Sequence, residues 1–304
     1  MSHSISLSDY RAALSAPGAA GPAVASLFAR LPIAMIGIGM LLYVQRVTGS
    51  FGSAGLVSAG VLAGVAVGSV AQGRVMDRVG PTVPLTVMSL AFGVLVTVAV
   101  LAVESHAPVS LLAPLALLVG MSQPMAEPAS RALWTALTPA GPVRRAAYSY
   151  EAISMEVFFI LGPGLAGLLV MMPWPGTGVV AGAVCMIMGS LAFAATGAAR
   201  RLRPNREPQR RKKSTSLLGP LSAPGMRTIA VAALGFGCVL GIIEVAVPAA
   251  AHRLGQPAVG GLLLSVLSIS SVVVGILYGL RPWPRPLHLR LPALLLCFAV
   301  LTSL

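Results

Sequence analysis

GRVMDRVG, residues Gly73 to Gly80, lies between two apolar segments that are each long enough to cross a membrane. Only 10% of the 304 residues are charged, yet Arg74, Asp77 and Arg78 fall within five positions of one another here. A topology signal would need only the basic residues, so the Asp and the glycines indicate a further role. We expect this segment to hold two helices in one conformation. Asp77 would accept hydrogen bonds from a helix N-terminus, and the two arginines would pair with carboxylates or anionic lipid.

The composition around this segment indicates a membrane protein. Hydrophobic residues make up 56% of the chain and the mean hydropathy is +0.88, whereas a soluble domain is about one quarter charged. Lipid admits only helices or closed barrels, and the apolar stretches lack the alternating segments of about ten residues that barrels require. The sequence therefore predicts an all-α polytopic membrane protein.

Runs of about twenty apolar residues predict eight membrane spans. They lie near residues 23–45, 54–72, 82–103, 109–137, 146–172, 177–199, 227–250 and 257–280. A last apolar run, 291–304, has room for only about 21 Å of helix, so we expect the chain to stop inside a ninth helix and to be truncated at its C-terminus. The predicted organisation is an N-terminal segment (1–22), a six-helix bundle (23–199), a basic linker (200–225) and an incomplete second bundle (226–304).

The basic residues predict how the spans are oriented. If the N-terminus is cytoplasmic, only Arg46 and Arg253 lie on the opposite side, Arg30 and Arg131 lie within spans, and all other Lys and Arg residues are cytoplasmic. This is a strong positive-inside bias. It predicts a multi-pass protein of the plasma (inner) membrane with a cytoplasmic N-terminus and linker. The same topology explains the net charge of +13, so we expect the bilayer and not nucleic acid as a partner.

Six spans, a basic linker and further spans resemble the plan of the major facilitator superfamily. That family carries G-x-x-x-D-R-x-G-R-R/K after its second helix, and Gly73, Asp77, Arg78 and Gly80 match this signature in spacing and in place. The closing basic residues of the signature are missing. The resemblance implies two six-helix halves around a central cavity, and about 8–9 of the 12 helices would be present here.

In the fifth span, FFILGPGLAG partly resembles the antiporter signature of the same superfamily. Gly162, Pro163 and Gly167 fit its Gly-Pro pattern, and Gly164 adds another small residue. A Gly-Pro pair removes a backbone hydrogen bond and permits a bend, while small residues also permit close helix packing. Two interpretations stay open: a hinge that prevents leak, which is typical of exporters, or ordinary packing.

Charged residues inside the predicted spans are the candidates for coupling or substrate contact, because they are costly to insert. Glu127 and Arg131 share one face of the fourth span, and Arg131 loosely matches an arginine that this superfamily often uses in proton coupling. Glu156 in the fifth span and Arg30 in the first complete the set, and Glu151, nearer the end of its span, lies outside it. A carboxylate in a low-dielectric cavity can hold a proton near neutral pH. The alternative is a static buried network.

The sequence thus predicts a secondary active transporter of a small organic molecule that works by alternating access and is coupled to protons. The Gly-Pro motif favours efflux, and uptake of a small metabolite by the same fold is the near alternative. A non-transporting truncated protein or partner subunit is a third interpretation. No enzyme is expected, because HExxH, GxSxG and Walker motifs are missing. No cofactor or metal is expected, because Cys185, Cys238 and Cys297 form no CxxC pair. The oligomeric state is not predicted.

Overall fold

The computed structural model describes residues 6–202, 224–280 and 287–302, and this part of the chain is helical throughout, without strands. Its helices are α1 Leu7–Leu14, α2 Ala20–Thr48, α3 Phe51–Val79, α4 Thr82–Glu104, α5 Val109–Ser122, α6 Ala126–Leu137, α7 Pro142–Leu169, α8 Thr177–Ala195, α9 Gly197–Arg201, α10 Pro224–Arg253, α11 Pro257–Leu280 and α12 Leu287–Thr302. Within the described ranges, seven segments are long and apolar enough to cross a membrane, with α5 and α6 counted as one, and Val259–Val274 is a shorter apolar helix. The predicted all-α polytopic fold is confirmed.

Two elements differ from their sequence-based descriptions. The GRVMDRVG segment, which the sequence places between two spans, is part of a helix, because its residues up to Val79 form the last two turns of α3. The helix ends at Gly80, whose φ of 83° favours glycine and whose N–H donates to the carbonyl of Met76 at 2.9 Å. The fourth predicted span is two helices, since residues 123–125 separate α5 from α6.

Two compact units make up the chain. The first comprises Met1–Arg206 and Val247–Ser268, and the second comprises Glu207–Ala246 and Ile269–Leu304. In the second unit, the rings of Phe236 and Phe298 lie 5.0 Å apart, centroid to centroid. The predicted linker lies mostly outside the described residues, and the domain boundaries stay predictions.

In the first unit, α2 is the central helix. It packs against α3, α7 and α8, while α3 packs closely on α5 and α4 packs on α8. The short helix α1 begins with a capping box, in which Ser6 and Asp9 bond each other's backbone N–H, and it packs against α7. Ala13 of α1 joins a buried cluster around Trp134 that also contains Ala19, Ala23 and Ala147. This cluster supports α6 near the end of the bundle at which α2 and α7 begin.

Candidate functional site

Glu151 of α7 is the centre of a buried polar cluster in the first unit. Its Oε1 accepts hydrogen bonds from Arg30 Nη2 at 2.7 Å and from Trp134 Nε1 at 2.8 Å, and a third from the hydroxyl of Ser130. The side chains of Arg30 and Glu151 are only 2% and 4% exposed. A buried carboxylate is tolerated when a countercharge and hydrogen-bond donors surround it, and this cluster provides both.

Three helices bring these groups to one place. Arg30 lies ten residues into α2 and Glu151 nine residues into α7, so the two residues are about 15 and 14 Å along their helices. Ser130 and Trp134 are four apart on α6 and therefore share one face. The ring of Tyr150 packs edge-on against Trp134, with centroids 6.4 Å apart, and this contact fixes the indole next to Glu151.

A second, more exposed pair of charges lies beside the buried cluster. Arg131 Nη2 lies 2.6 Å from Glu127 Oε1, and Arg131 Nε lies 3.7 Å from Glu151 Oε2. The side chains of Glu127 and Arg131 are 37% and 61% exposed. Among the described residues, Glu151 Oε2 has no hydrogen-bond partner although it is buried. One guanidinium therefore connects an accessible carboxylate with a buried carboxylate that has a free acceptor.

The structure brings three of the four predicted coupling residues together: Arg30 and Arg131 both lie next to Glu151, and Glu127 contacts Arg131. Glu156 is exposed and makes no ion pair or side-chain hydrogen bond with any described residue. Five residues along a helix amount to a rotation of about 140°, so Glu156 and Glu151 lie on different faces of α7. The predicted fifth span begins at residue 146, whereas α7 begins at Pro142. Gly141 followed by Pro142 is a helix-start signal that would have placed Glu151 deeper.

The charged residues of the GRVMDRVG segment make no comparable contacts. Arg74, Asp77 and Arg78 are exposed on the last two turns of α3. No side-chain hydrogen bond or ion pair joins them to any residue in the described ranges. The role of this segment in holding a conformation stays a prediction.

The Gly-Pro segment of the fifth span lies within a continuous helix, since α7 extends through Pro163 to Leu169. A Cβ atom on Gly162 would lie 2.7 Å from Cβ of Ala34 on α2, and one on Gly164 would lie 3.0 Å from the Ser265 hydroxyl. A Cβ atom on Gly261 would likewise lie 3.0 Å from Cα of Gly167. These contacts agree with the packing interpretation, and the hinge interpretation stays a prediction.

A second glutamate cluster, which the sequence analysis did not identify, lies at the opposite end of the first unit. Glu104 Oε1 accepts hydrogen bonds from the Tyr43 hydroxyl at 2.6 Å and from Trp174 Nε1 at 2.8 Å. The Tyr43 and Trp174 rings meet edge-on with centroids 6.3 Å apart. Tyr43 is fully buried and Glu104 is exposed. The cluster joins α2, the end of α4 and the connection between α7 and α8.

A family model described as Major Facilitator Superfamily matches residues 23–304. No curated protein matches the chain. The matched range begins in α2 and includes Arg30, Glu127, Arg131 and Glu151, so the Glu151 cluster lies within it.

Proposed function

The chain belongs to the major facilitator superfamily of secondary transporters, and from this premise we propose that it exports a small lipophilic organic cation in exchange for protons. The proposal rests on one observation. Arg131 contacts the accessible carboxylate of Glu127 and lies 3.7 Å from the buried carboxylate of Glu151. We place the protein in the plasma membrane, with its N-terminus and basic linker in the cytoplasm, on the distribution of Lys and Arg residues.

The proposed coupling step begins at Glu127, which is the more accessible of the two carboxylates near Arg131. When Glu127 takes up a proton, its attraction to Arg131 falls, because a neutral carboxyl no longer attracts a guanidinium strongly. Arg131 then moves toward Glu151 Oε2, which accepts no hydrogen bond from the described residues. When Glu127 loses the proton, Arg131 returns. A protonation event at the accessible face is thereby converted into a change of contact between α6 and α7.

The charge of the site favours exchange over cotransport for a cation. Arg30 and Arg131 balance Glu127 and Glu151 when both carboxylates are ionised, so the four residues carry no net charge. Either a proton on Glu127 or a bound cation adds one positive charge to the site. Both together add two positive charges next to the buried Arg30–Glu151 pair, and like charges repel one another. The proton and the cation therefore exclude one another, which is the requirement for antiport.

Uptake is the alternative that the same residues allow. An organic anion would compensate the charge that a proton adds, and the two would then bind together as in symport. The exposed guanidinium of Arg131 is the group that such an anion would contact. The charge of the transported molecule therefore distinguishes the two directions of coupling.

A flux measurement in proteoliposomes tests the proposal. The purified protein is placed in vesicles of phosphatidylethanolamine and phosphatidylglycerol, a pH gradient is imposed, and the movement of ethidium, tetraphenylphosphonium and radiolabelled benzoate is followed. We expect gradient-driven movement of at least one of the two cations, lost in Glu127→Gln. The matched control is Glu104→Gln, an exposed glutamate at the other end of the unit, which should retain the flux.

Three results would contradict the proposal. Gradient-driven benzoate uptake without cation flux would favour the symport alternative. Cation flux that persists in Glu127→Gln would remove Glu127 from the coupling step. No gradient-driven flux of any probe would favour a non-transporting membrane protein.

A further inference from the structure

The break between α5 and α6 has a specific cause in the sequence. Pro124 has no backbone N–H, so the carbonyl of Gly120 loses its helical donor, and Pro128 likewise leaves the carbonyl of Pro124 without one. The helix therefore stops at Ser122 and starts again at Ala126. In a continuous helix the N–H of Met125 would donate to the carbonyl of Met121, and the break separates these two groups.

The side chain of Gln72, on α3, occupies the break. Its Nε2 donates to the carbonyls of Met121 and Gln123 at 3.0 and 2.9 Å, and its Oε1 accepts from the N–H of Met125 at 3.2 Å. One amide thus bonds both halves of the interrupted helical hydrogen bond. Gln72 is only 5% exposed, and backbone groups at membrane depth need such partners because lipid offers none.

The sequence of α3 explains how Gln72 reaches the backbone of another helix. Gly64, Gly68 and Gln72 are spaced by four and share one face of α3. A Cβ atom on Gly64 would lie 2.8 Å from Met121 N, and one on Gly68 would lie 2.8 Å from Met121 Cα. The two helices therefore approach backbone to backbone. Gln72 is the next residue on this face of α3, and its amide therefore lies at the level where α5 ends.

We propose that Gln72 is a positioning residue for transport, because it fixes where α6 begins and so holds Ser130, Arg131 and Trp134 against Glu151. Glu127 follows the bonded Met125 by only two residues. Arg131 lies 2.6 Å from Glu127 and 3.7 Å from Glu151, so a displacement of α6 by about 1 Å is enough to change which carboxylate it contacts. This inference rests on the proposed function, in which that change of contact is the coupling step.

The experiment measures the position of α6 directly. Spin labels are attached to cysteines at Val75 of α3 and Ala132 of α6, both exposed, after Cys185, Cys238 and Cys297 are replaced by serine. Gln72→Met keeps the length of the side chain and removes all three hydrogen bonds. We expect a narrow distance distribution in the parent, a broadened or shifted one in Gln72→Met, and a loss of about tenfold in gradient-driven cation flux.

Gln45→Met is the matched control. Gln45 is also buried, but its amide meets His252 at 3.3 Å and contacts neither α5 nor α6 through a hydrogen bond. We expect the α3–α6 distance to stay as in the parent. If Gln72→Met does not fold, Gln72→Asn is the variant that tests the positioning role. Asn keeps the amide but places it closer to α3 by one carbon–carbon bond, about 1.5 Å. We expect it to broaden the distribution as well.

The outcomes separate the two claims. An unchanged α3–α6 distance in the Gln72 variant would overturn the positioning role. A changed distance with full flux would show that the position of α6 does not serve transport, which also overturns it. If the parent itself shows no flux, the proposed function fails, and the distance comparison still decides whether Gln72 positions α6.

Discussion

The two glutamate clusters of the first unit use similar donors in different surroundings. Glu151 and Glu104 each accept a hydrogen bond from a tryptophan indole at 2.8 Å through Oε1. Glu151 is buried and has Arg30 as a countercharge, whereas Glu104 is exposed and has the neutral hydroxyl of Tyr43. Water can solvate an exposed carboxylate, but a buried one needs an opposite charge. We infer that the Glu151 cluster carries the function and that the Glu104 cluster ties helices together.

The largest effect on stability is expected for Glu151→Gln. Gln keeps the shape of the side chain but leaves Arg30, 2% exposed, as a buried charge without a countercharge, which costs about 3–5 kcal/mol. Denaturation of the detergent-solubilised protein, followed by circular dichroism, measures the change. A variant as stable as the parent would show that water or another group reaches Arg30, and the two clusters would then not differ in the way described.

A double variant, Arg30→Met with Glu151→Gln, separates the cost of the unpaired charge on Arg30 from the loss of the Glu151 carboxylate. Replacing both partners removes the unpaired charge, so we expect most of the stability lost in Glu151→Gln to return. We expect no cation flux in either variant, because a neutral side chain at position 151 no longer attracts Arg131 as the carboxylate does. The same denaturation curves and the vesicle assay test this. Recovery of flux together with stability would mean that the buried pair is only structural.

Tyr43→Phe is expected to have a smaller effect than Glu151→Gln. It removes the hydroxyl that bonds Glu104 at 2.6 Å and creates no unpaired charge, because Glu104 is exposed to solvent and keeps the Trp174 indole. Helix contacts at this end weaken, but the coupling residues are untouched. We expect a modest fall in the unfolding midpoint and flux close to that of the parent. A loss of flux as large as in Glu127→Gln would contradict the division of roles.

The smallest effect on stability is expected for Glu127→Gln. The pair of Glu127 and Arg131 is four apart on a helix and substantially exposed, and such pairs contribute only about 0.3–0.5 kcal/mol. The denaturation midpoint should therefore barely change while coupled flux is lost. If stability and flux fell together by a large amount, the flux result would report misfolding and not coupling.

The sequence predicted the helical membrane fold, the family and three of the residues that meet at the site. The lengths of the apolar runs, the bias of basic residues and the spacing in GRVMDRVG are local patterns of sequence. They can be recognised without knowing how the helices pack. Glu151 was passed over because its depth depends on where α7 begins, and its partners depend on the rotation of three helices about their axes. Neither quantity can be read from one apolar run.

The break at residues 123–125 also involves contacts between helices that the sequence does not predict. Pro124 and Pro128 are typical of a bend in a helix, and glycines four apart on one face, such as Gly64 and Gly68 of α3, are typical of close helix packing. The bond between the Gln72 amide and the backbone of Met121, Gln123 and Met125 joins positions about fifty residues apart. Nothing in the local pattern near Gln72 pairs it with that stretch. A glutamine inside a glycine stripe is the only signal that the sequence offers.

Proton release on cation binding shows directly whether a cation and a proton exclude one another at Glu127. Purified protein is held in weakly buffered detergent solution, and a lipophilic cation that the vesicles transport is added while the pH is recorded. Because cation and proton compete for the Glu127 site, the parent should release protons on binding, Glu104→Gln should release as many, and Glu127→Gln should release none. Equal release from the parent and Glu127→Gln, or cation binding to the parent without any release, would contradict the account.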